Sequence, residues 1–512
     1  MKTAPISINI FKNSIWNLFL FASQGVTGIA TSILIARYLG PELMGEYSYI
    51  IWLIGVIALV ISLGLPNTIT KFLSEIIGGE HKEYAKIIYA KLLQIQFIIA
   101  LTISIILMIV FYKKLLPGTR DCYLIAFLSL IPVCMSMFLT AVFHGLQNFR
   151  ITSIVGSAIN LFQLVLVILF IKLDAGLEGL VSVLLISGIV QMLILVKWIN
   201  PTFGFTSSFK IPKELRNKVT RYSLNVYWTI VLSMIVWQKS EIFFLKIFST
   251  AEEIAFYSIS FNMVMILIGL ATLFSTVIFP ILSNFHGAGD RKGIQNIYNK
   301  SIKAIFIFFL PICIFFIATA KPLVLLMYSS QYYAVYPLLI ILVVSAVFSA
   351  VGIVFAHLIF AVNRADIQAK YVTLQAIINI LLDLLLIPHY GATGAALANS
   401  SIRIASFPIW LWIIQKQLGF SFPFREVYMS ILPNIPLALI LCLVGNYYPN
   451  TIGIVLVFFI ALFIYPLLLF AFKTITSDDI RIAKEVSTVL PAPYEKIVNV
   501  VFDKLPMRQE IT

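Results

Sequence analysis

Charge is scarce in this chain, and so is any motif that would mark an enzyme. Only 11% of its 512 residues are Asp, Glu, Lys or Arg, while 60% are hydrophobic. A soluble domain carries about 25% charged residues, so this composition excludes a soluble globular protein and describes an integral membrane one. No long hydrophilic stretch is present to form an accessory domain. Cys122, Cys134, Cys313 and Cys442 sit in apolar runs without paired spacing. They read as small core residues, neither a disulfide framework nor a metal site. The five histidines are scattered, and no pair has metal-ligand spacing on one helix. A phosphate loop is missing too, so ATP is not the direct energy source. No cofactor is expected beyond a coupling ion, H+ or Na+, which the sequence does not identify.

What the chain has instead is apolar runs. A membrane-spanning helix needs about 20 mostly apolar residues. Fourteen such runs are expected, near 14–36, 47–70, 87–111, 122–143, 152–171, 178–197, 222–242, 255–280, 304–320, 334–360, 368–388, 393–413, 428–446 and 452–472. The N-terminal segment carries Lys2 and Lys12 but no small-residue cleavage site, so it reads as a retained cytoplasmic end. Alternating the spans from an inner N-terminus, and counting Lys197, Lys239 and Lys370 at span ends with the adjoining segments, puts 26 Lys and Arg in inner segments and 8 in outer loops, with Lys91 and Arg403 deeper inside spans. That bias places both termini in the cytoplasm. It also explains the net charge of +14. Because no basic run is interleaved with aromatics in a soluble segment, no nucleic-acid partner is expected.

The chain also repeats itself. Arg37-Tyr-Leu-Gly-Pro-Glu-Leu-Met-Gly-Glu-Tyr47-Ser48 is echoed by the stretch from Lys246 to Tyr257-Ser258. Ile159-Asn160-Leu161, ending before Gly176-Leu-Glu-Gly179, is echoed by Ile378-Asn379-Ile380 before Gly391-Ala-Thr-Gly394. Six spans per repeat is an even number, so the halves are parallel, as in two-lobed transporters whose site lies between the lobes. The expected fold is all-α: two six-helix lobes at 1–210 and 211–420, spans 13 and 14 at 421–473, and an amphipathic cytoplasmic tail at 474–512. The basic loop near Lys210, Lys213, Arg216 and Lys218 reads as a solvated linker at the anionic leaflet.

Several of these segments resemble the polysaccharide-export flippases, of the O-antigen type, in the multidrug/oligosaccharidyl-lipid/polysaccharide exporter superfamily. The resemblance rests on Arg37 to Tyr47, on Gly64-Leu-Pro-Asn with Lys71 and Glu75, on Phe279-Pro-Ile-Leu-Ser283 with Gly287 to Asp290, and on Asn379 with Leu386 to Ala396. It covers about Asn9 to Lys473. It implies two six-helix bundles around a central cavity and two extra helices. It also implies flipping of polyprenyl-diphosphate-linked sugars across the cytoplasmic membrane for surface polysaccharide assembly. Lipid-linked oligosaccharide and membrane lipids would be the partners, with a polysaccharide polymerase and chain-length machinery downstream. Span 1 carries no Lys or Arg, a departure from the lipid II flippase branch, which weighs against a peptidoglycan precursor.

The intramembrane polar residues are the candidates for transport. Arg403 lies deep in span 12, where a charge costs at least about 2.5–3.5 kcal/mol, so it should face a cavity or a partner. It could contact a diphosphate or pair with Asp383. Lys71 could contact phosphate at the cavity mouth or pair locally with Glu75, one helical turn away. Lys91 could line the cavity or snorkel to the inner surface. Asn17, Gln24 and Asn225, on the first helix of each lobe, are cavity candidates, with interhelical hydrogen bonding as the alternative. Asp383 and Glu241 are the ion-coupling candidates. A multidrug–cation antiporter on the same scaffold is the competing transport reading. A membrane glycosyltransferase or polymerase would need an acidic metal cluster on a long outer loop, which the chain lacks.

Overall fold

The computed structural model describes residues 6–78, 83–112, 117–203, 213–237, 240–276 and 278–476. The side chains of residues 6–14, of Asn225 and of a few others lie outside that description. Lys2, the linker around Lys210, Lys239 and the tail from residue 477 fall outside the described residues altogether, and Lys12 is described by its backbone alone.

Every regular element among the described residues is helical. In hydrocarbon a backbone must satisfy its own hydrogen bonds, and a helix does so within one segment. The helices are α1 Ile6–Ile61, α2 Leu65–Gly78, α3 Glu83–Tyr112, α4 Pro117–Gly145, α5 Phe149–Lys172, α6 Gly176–Phe203, α7 Lys213–Trp237, α8 Glu241–Phe248 and α9 Ala251–Thr276. They continue as α10 Ile278–Gly287, α11 Arg291–Ala304, α12 Leu310–Tyr328, α13 Val335–Ala361, α14 Ala365–Ile413, α15 Phe424–Ile431, α16 Asn434–Tyr447 and α17 Thr451–Ala471. Eleven segments are long and apolar enough to cross a membrane. Two of them divide at glycines, and α7 carries the run expected as span 7 as far as Trp237, so each of the fourteen expected spans has a helix among the described residues.

The two dividing glycines do specific work. Gly40 breaks α1 with φ 73° and ψ 173°, and Gly391 breaks α14 with φ 53° and ψ −129°. Positive φ is strained for residues with a Cβ, so glycine is the residue that turns the chain there. Pro41 follows Gly40 as the first residue of the next limb, where its missing N–H costs nothing. Both halves of the duplication then tie the turn between their first two spans to the turn between their last two. In the first half, Tyr38 Oη donates to Asp174 Oδ1 at 2.7 Å and accepts from Gly176 N at 3.0 Å. In the second, the Glu253 carboxylate accepts from Ala392 N at 2.9 Å and from the Ser249 hydroxyl. Glu253 thereby places negative charge at the N-terminus of the second limb of α14, where the helix dipole favours it.

By packing, the chain forms two compact units. The first is Met1–Ile259 with Ala369–Ala398, and the second is Ser260–Gln368 with Asn399–Thr512. The duplication boundary at 210/211 follows a different criterion, sequence rather than packing. In the first unit α4 packs on α2, α3 and α6 around Phe72, Ile88, Phe138, Leu139 and Val142. Small residues let α2 and α4 approach closely: Thr70 Oγ1 donates to Ala141 O at 2.9 Å and Ser74 Oγ to Gly145 O at 2.8 Å. α7 joins this core through Ser223 Oγ, which donates to Leu63 O at 2.7 Å.

In the second unit α12 packs on α16 and α17 through Ile314, Leu437, Leu441 and Val457. A π-helical turn over Ile305–Phe309 leads into α12. Pro311 has no N–H to give the carbonyl of Ile307, four residues earlier. Tyr465 Oη fills that gap, donating to Ile307 O at 2.6 Å.

Candidate functional site

The first unit holds two polar sites. One lies at the join of α7 and α8 against the first limb of α14. Asn379 and Asp383 stand four residues apart, on one helix face, and both are fully buried. Asn379 Nδ2 donates to Asp383 Oδ2 and to Ser240 Oγ, each at 3.1 Å. Ser240 Oγ donates to the same Asp383 oxygen at 3.4 Å. Glu241, one residue on, is buried and close enough for its charge to act on Asp383. The structure therefore brings together Asp383 and Glu241, the two acids expected to couple an ion. Asp383 Oδ1 and Asn379 Oδ1 are buried without a hydrogen-bond partner among the described residues. Two carboxylates buried in one site cannot both stay charged without compensation. Carboxylate, amide and hydroxyl oxygens together suit a proton or a hard cation.

The other site lies between α2 and α7. A cavity of about 430 Å³ is lined by Lys71, Phe72, Asn217, Lys218, Arg221 and Tyr222. The Lys71 ammonium lies 4.0 Å from the centroid of the Tyr222 ring and 5.5 Å from that of Phe72. Lys218 Nζ lies 2.6 Å from Glu75 Oε1 and 5.7 Å from the Phe72 ring. Glu75 thus takes Lys218 as its partner, and the local Lys71–Glu75 pair anticipated from their spacing does not form. The reason is geometric: α7 brings both a nearer cation for Glu75 and an aromatic face for Lys71. Three cations face one acid, over an aromatic floor. Such a cavity can hold a phosphate by charge while stacking rings against an apolar or sugar surface.

Arg403 belongs to the second unit. It is 7% exposed on the second limb of α14, with its guanidinium carbon 5.6 Å from the Phe261 ring. Fully buried Ala395, Ala396 and Ala398 precede it. Asn17 and Gln24 stand exposed on the first limb of α1, and Lys91 is exposed on α3. None of these three joins either cluster. Asn225 lies on α7, its side chain outside the described residues.

Ser240, Asn217 and Arg221 were not anticipated as site residues, and Lys218 was counted only as a linker charge. A signal for three of them existed: Asn217 and Lys218 precede Arg221 and Tyr222 by three to five residues, which puts the two pairs on one face of a helix. Their proximity to the Gly64-Leu-Pro-Asn…Lys71 segment is a tertiary fact. Ser240 carried no such signal.

Comparison with known proteins follows this geometry. The fold is similar to the solved lipid II flippase MurJ in its inward closed conformation, with TM-score 0.75 and 17% identity over 90% of this chain and 98% of that one. It is also similar to an inward-facing multidrug resistance MATE family transporter of the MOP superfamily, with TM-score 0.63 and 16% identity over 78% and 97% of the two chains. In sequence the chain is 24% identical to a "Putative O-antigen transporter" of Shigella flexneri, over 80% of this chain and 98% of the relative. It is 22% identical to a "Probable low-salt glycan biosynthesis flippase" of Haloferax volcanii, over 78% and 81%. The MatE family matches residues 229–385, a stretch that includes both Glu241 and Asp383. The family described as polysaccharide biosynthesis protein matches residues 10–286, more than half of the sequence, and the chain belongs to that family.

Proposed function

We propose that the chain is a flippase that carries polyprenyl-diphosphate-linked oligosaccharide repeat units across the cytoplasmic membrane for surface polysaccharide assembly. The observation that carries this reading is the cavity of Lys71, Lys218 and Arg221 over Phe72 and Tyr222 in a family of polysaccharide biosynthesis proteins. A diphosphate needs cations, a sugar needs hydrogen-bonding and ring surfaces, and the lipid tail can stay in the bilayer. The names of the Shigella and Haloferax relatives support the same substrate class.

The work is conformational rather than catalytic. Lobes at 1–210 and 211–420 rock in alternating access about a midplane site, with both termini in the cytoplasm. Arg403 adds a deep cation for the passing diphosphate. The Asp383–Glu241 cluster takes up and releases a proton or Na+ as the lobes move. One elementary charge moved through 100 mV is worth about 2.3 kcal/mol, enough to bias the cycle. A polymerase and chain-length machinery would consume the flipped unit.

The buried acids also favour a second reading, a cation-driven multidrug antiporter. Cells lacking their own O-antigen flippase separate the two. The flippase reading expects this chain to restore surface polysaccharide and to leave drug tolerance unchanged. Drug tolerance without polysaccharide would establish the antiporter instead.

A further inference from the structure

The second unit carries a basic cavity that the transport reading does not use. Three helix connections meet there: the link from α10 to α11, the link from α13 to α14, and the turn after the second limb of α14. They enclose about 380 Å³. His286, Arg291 and Arg364 bring its ionisable groups, and Gln417 adds an amide. Among the described residues that line it, none is a carboxylate. Ile294, Val362, Leu418 and Phe420 supply apolar walls.

The cavity is held in shape. Arg291 Nη2 donates to Leu418 O at 2.6 Å and to Gly419 O at 3.4 Å, and its guanidinium lies 5.0 Å from the Phe420 ring. That fixes one cation across the opening between two of the connections. Gly419 sits at φ 70°, a turn that glycine accommodates. Gln295 clamps the same strand of chain from the next helical turn, accepting from Ser421 N at 2.9 Å and donating to Ser421 O at 2.7 Å. Arg364 is anchored by Asp366 at 3.1 Å on the rim. The pocket therefore exists before any ligand arrives.

All three connections share one end of the helices, the end that the Lys and Arg distribution assigns to the cytoplasm. At that level a helix bundle meets the phosphate layer of the inner leaflet, and basic pockets between spanning helices there hold anionic headgroups. We infer that the cavity of His286, Arg291 and Arg364 is a binding site for the phosphate of an anionic lipid headgroup. Arg291 and Arg364 grip the phosphate, and the apolar walls receive the glycerol end of the lipid. Free phosphate shares the first interaction but not the second. The site is separate from the proposed substrate cavity, which lies in the other unit.

The test uses the full-length chain, purified in detergent and followed by thermal unfolding and by native mass spectrometry. The probes are short-chain phosphatidic acid, short-chain phosphatidylcholine and inorganic phosphate. Phosphatidic acid is expected to bind and raise the unfolding temperature, with at least tenfold weaker binding in Arg364→Gln and in the double variant Arg291→Gln/Arg364→Gln. Arg364→Lys should recover part of the loss, which separates charge from folding. Equal binding of phosphatidic acid and inorganic phosphate would overturn the lipid assignment. Undiminished phosphatidic acid binding in folded Arg364→Gln, or no binding by the unmodified chain, would overturn the site.

Discussion

Asn379 holds Asp383: its amide nitrogen lies 3.1 Å from one carboxylate oxygen, one helical turn along α14, and neither side chain is exposed. The amide holds one carboxylate oxygen, and the other has no hydrogen-bond partner among the described residues. With Glu241 nearby and also buried, this is the cluster at which we propose that a cation or proton comes and goes.

Neutralising Asp383 removes that charge with little change in shape. Asp383→Asn is expected to leave the chain folded and to lower gradient-driven export at least tenfold. Export in Asn379→Ala should fall less, because the carboxylate remains. Uptake of labelled lipid-linked oligosaccharide by vesicles, with and without an imposed ion gradient, measures both. Gradient-stimulated export that is unchanged in Asp383→Asn would remove the cluster from coupling.

The Lys71–Tyr222 stack makes a narrower prediction. A cation–π contact at this kind of site is worth about 0.5–2 kcal/mol. Tyr222→Phe keeps the ring and should export at near the normal rate. Tyr222→Leu should cut substrate affinity roughly 2-fold to 30-fold, the equivalent of that energy. Lys71→Ala should weaken binding further and reduce its salt dependence. Saturation curves for export against substrate concentration distinguish these outcomes.

Gly391→Ala tests the turn in α14. The new Cβ would sit on the Glu253 carboxylate and hold an alanine at φ 53°. The expected cost is about 1–3 kcal/mol, seen as a lower unfolding temperature in detergent. Glu253→Gln in the same background should recover little, since the backbone strain remains.

Tyr465→Phe removes the donor that caps Ile307 O beside Pro311. An interhelical hydrogen bond in a membrane protein is worth about 0.6 kcal/mol on average and at most about 1.7. A destabilisation in that range is expected, with export rate unchanged, because no residue of either polar site takes part in the contact.

Much of the fold was legible because hydrocarbon imposes strong rules. Each expected span has a helix among the described residues, and the Gly391-Ala-Thr-Gly394 echo sits at the break between spans 11 and 12. Asp383 and Glu241 were singled out singly, each as a rare acid near an apolar run. Their meeting was not legible, since it needs α8 and α14 to pack together across about 140 positions. The α2–α7 cavity shows the limit more sharply. Lys218 reads as linker charge in sequence, because its helix, α7, begins five residues earlier at Lys213. Only the packing of α7 on α2, fixed in part by Ser223 and Leu63 O, turns it toward Glu75.

The central claim is that this chain moves a diphosphate-linked sugar through cation-lined sites. Purified protein in vesicles loaded on one leaflet with fluorescent polyprenyl-diphosphate oligosaccharide tests it directly. The account predicts that label reaches the opposite leaflet with the unmodified chain, and that transfer falls at least tenfold in folded Arg403→Ala and in Lys71→Ala/Arg221→Ala. Vesicles in which the folded, unmodified chain leaves the label on its original leaflet, or in which both variants transfer it at full rate, would contradict it.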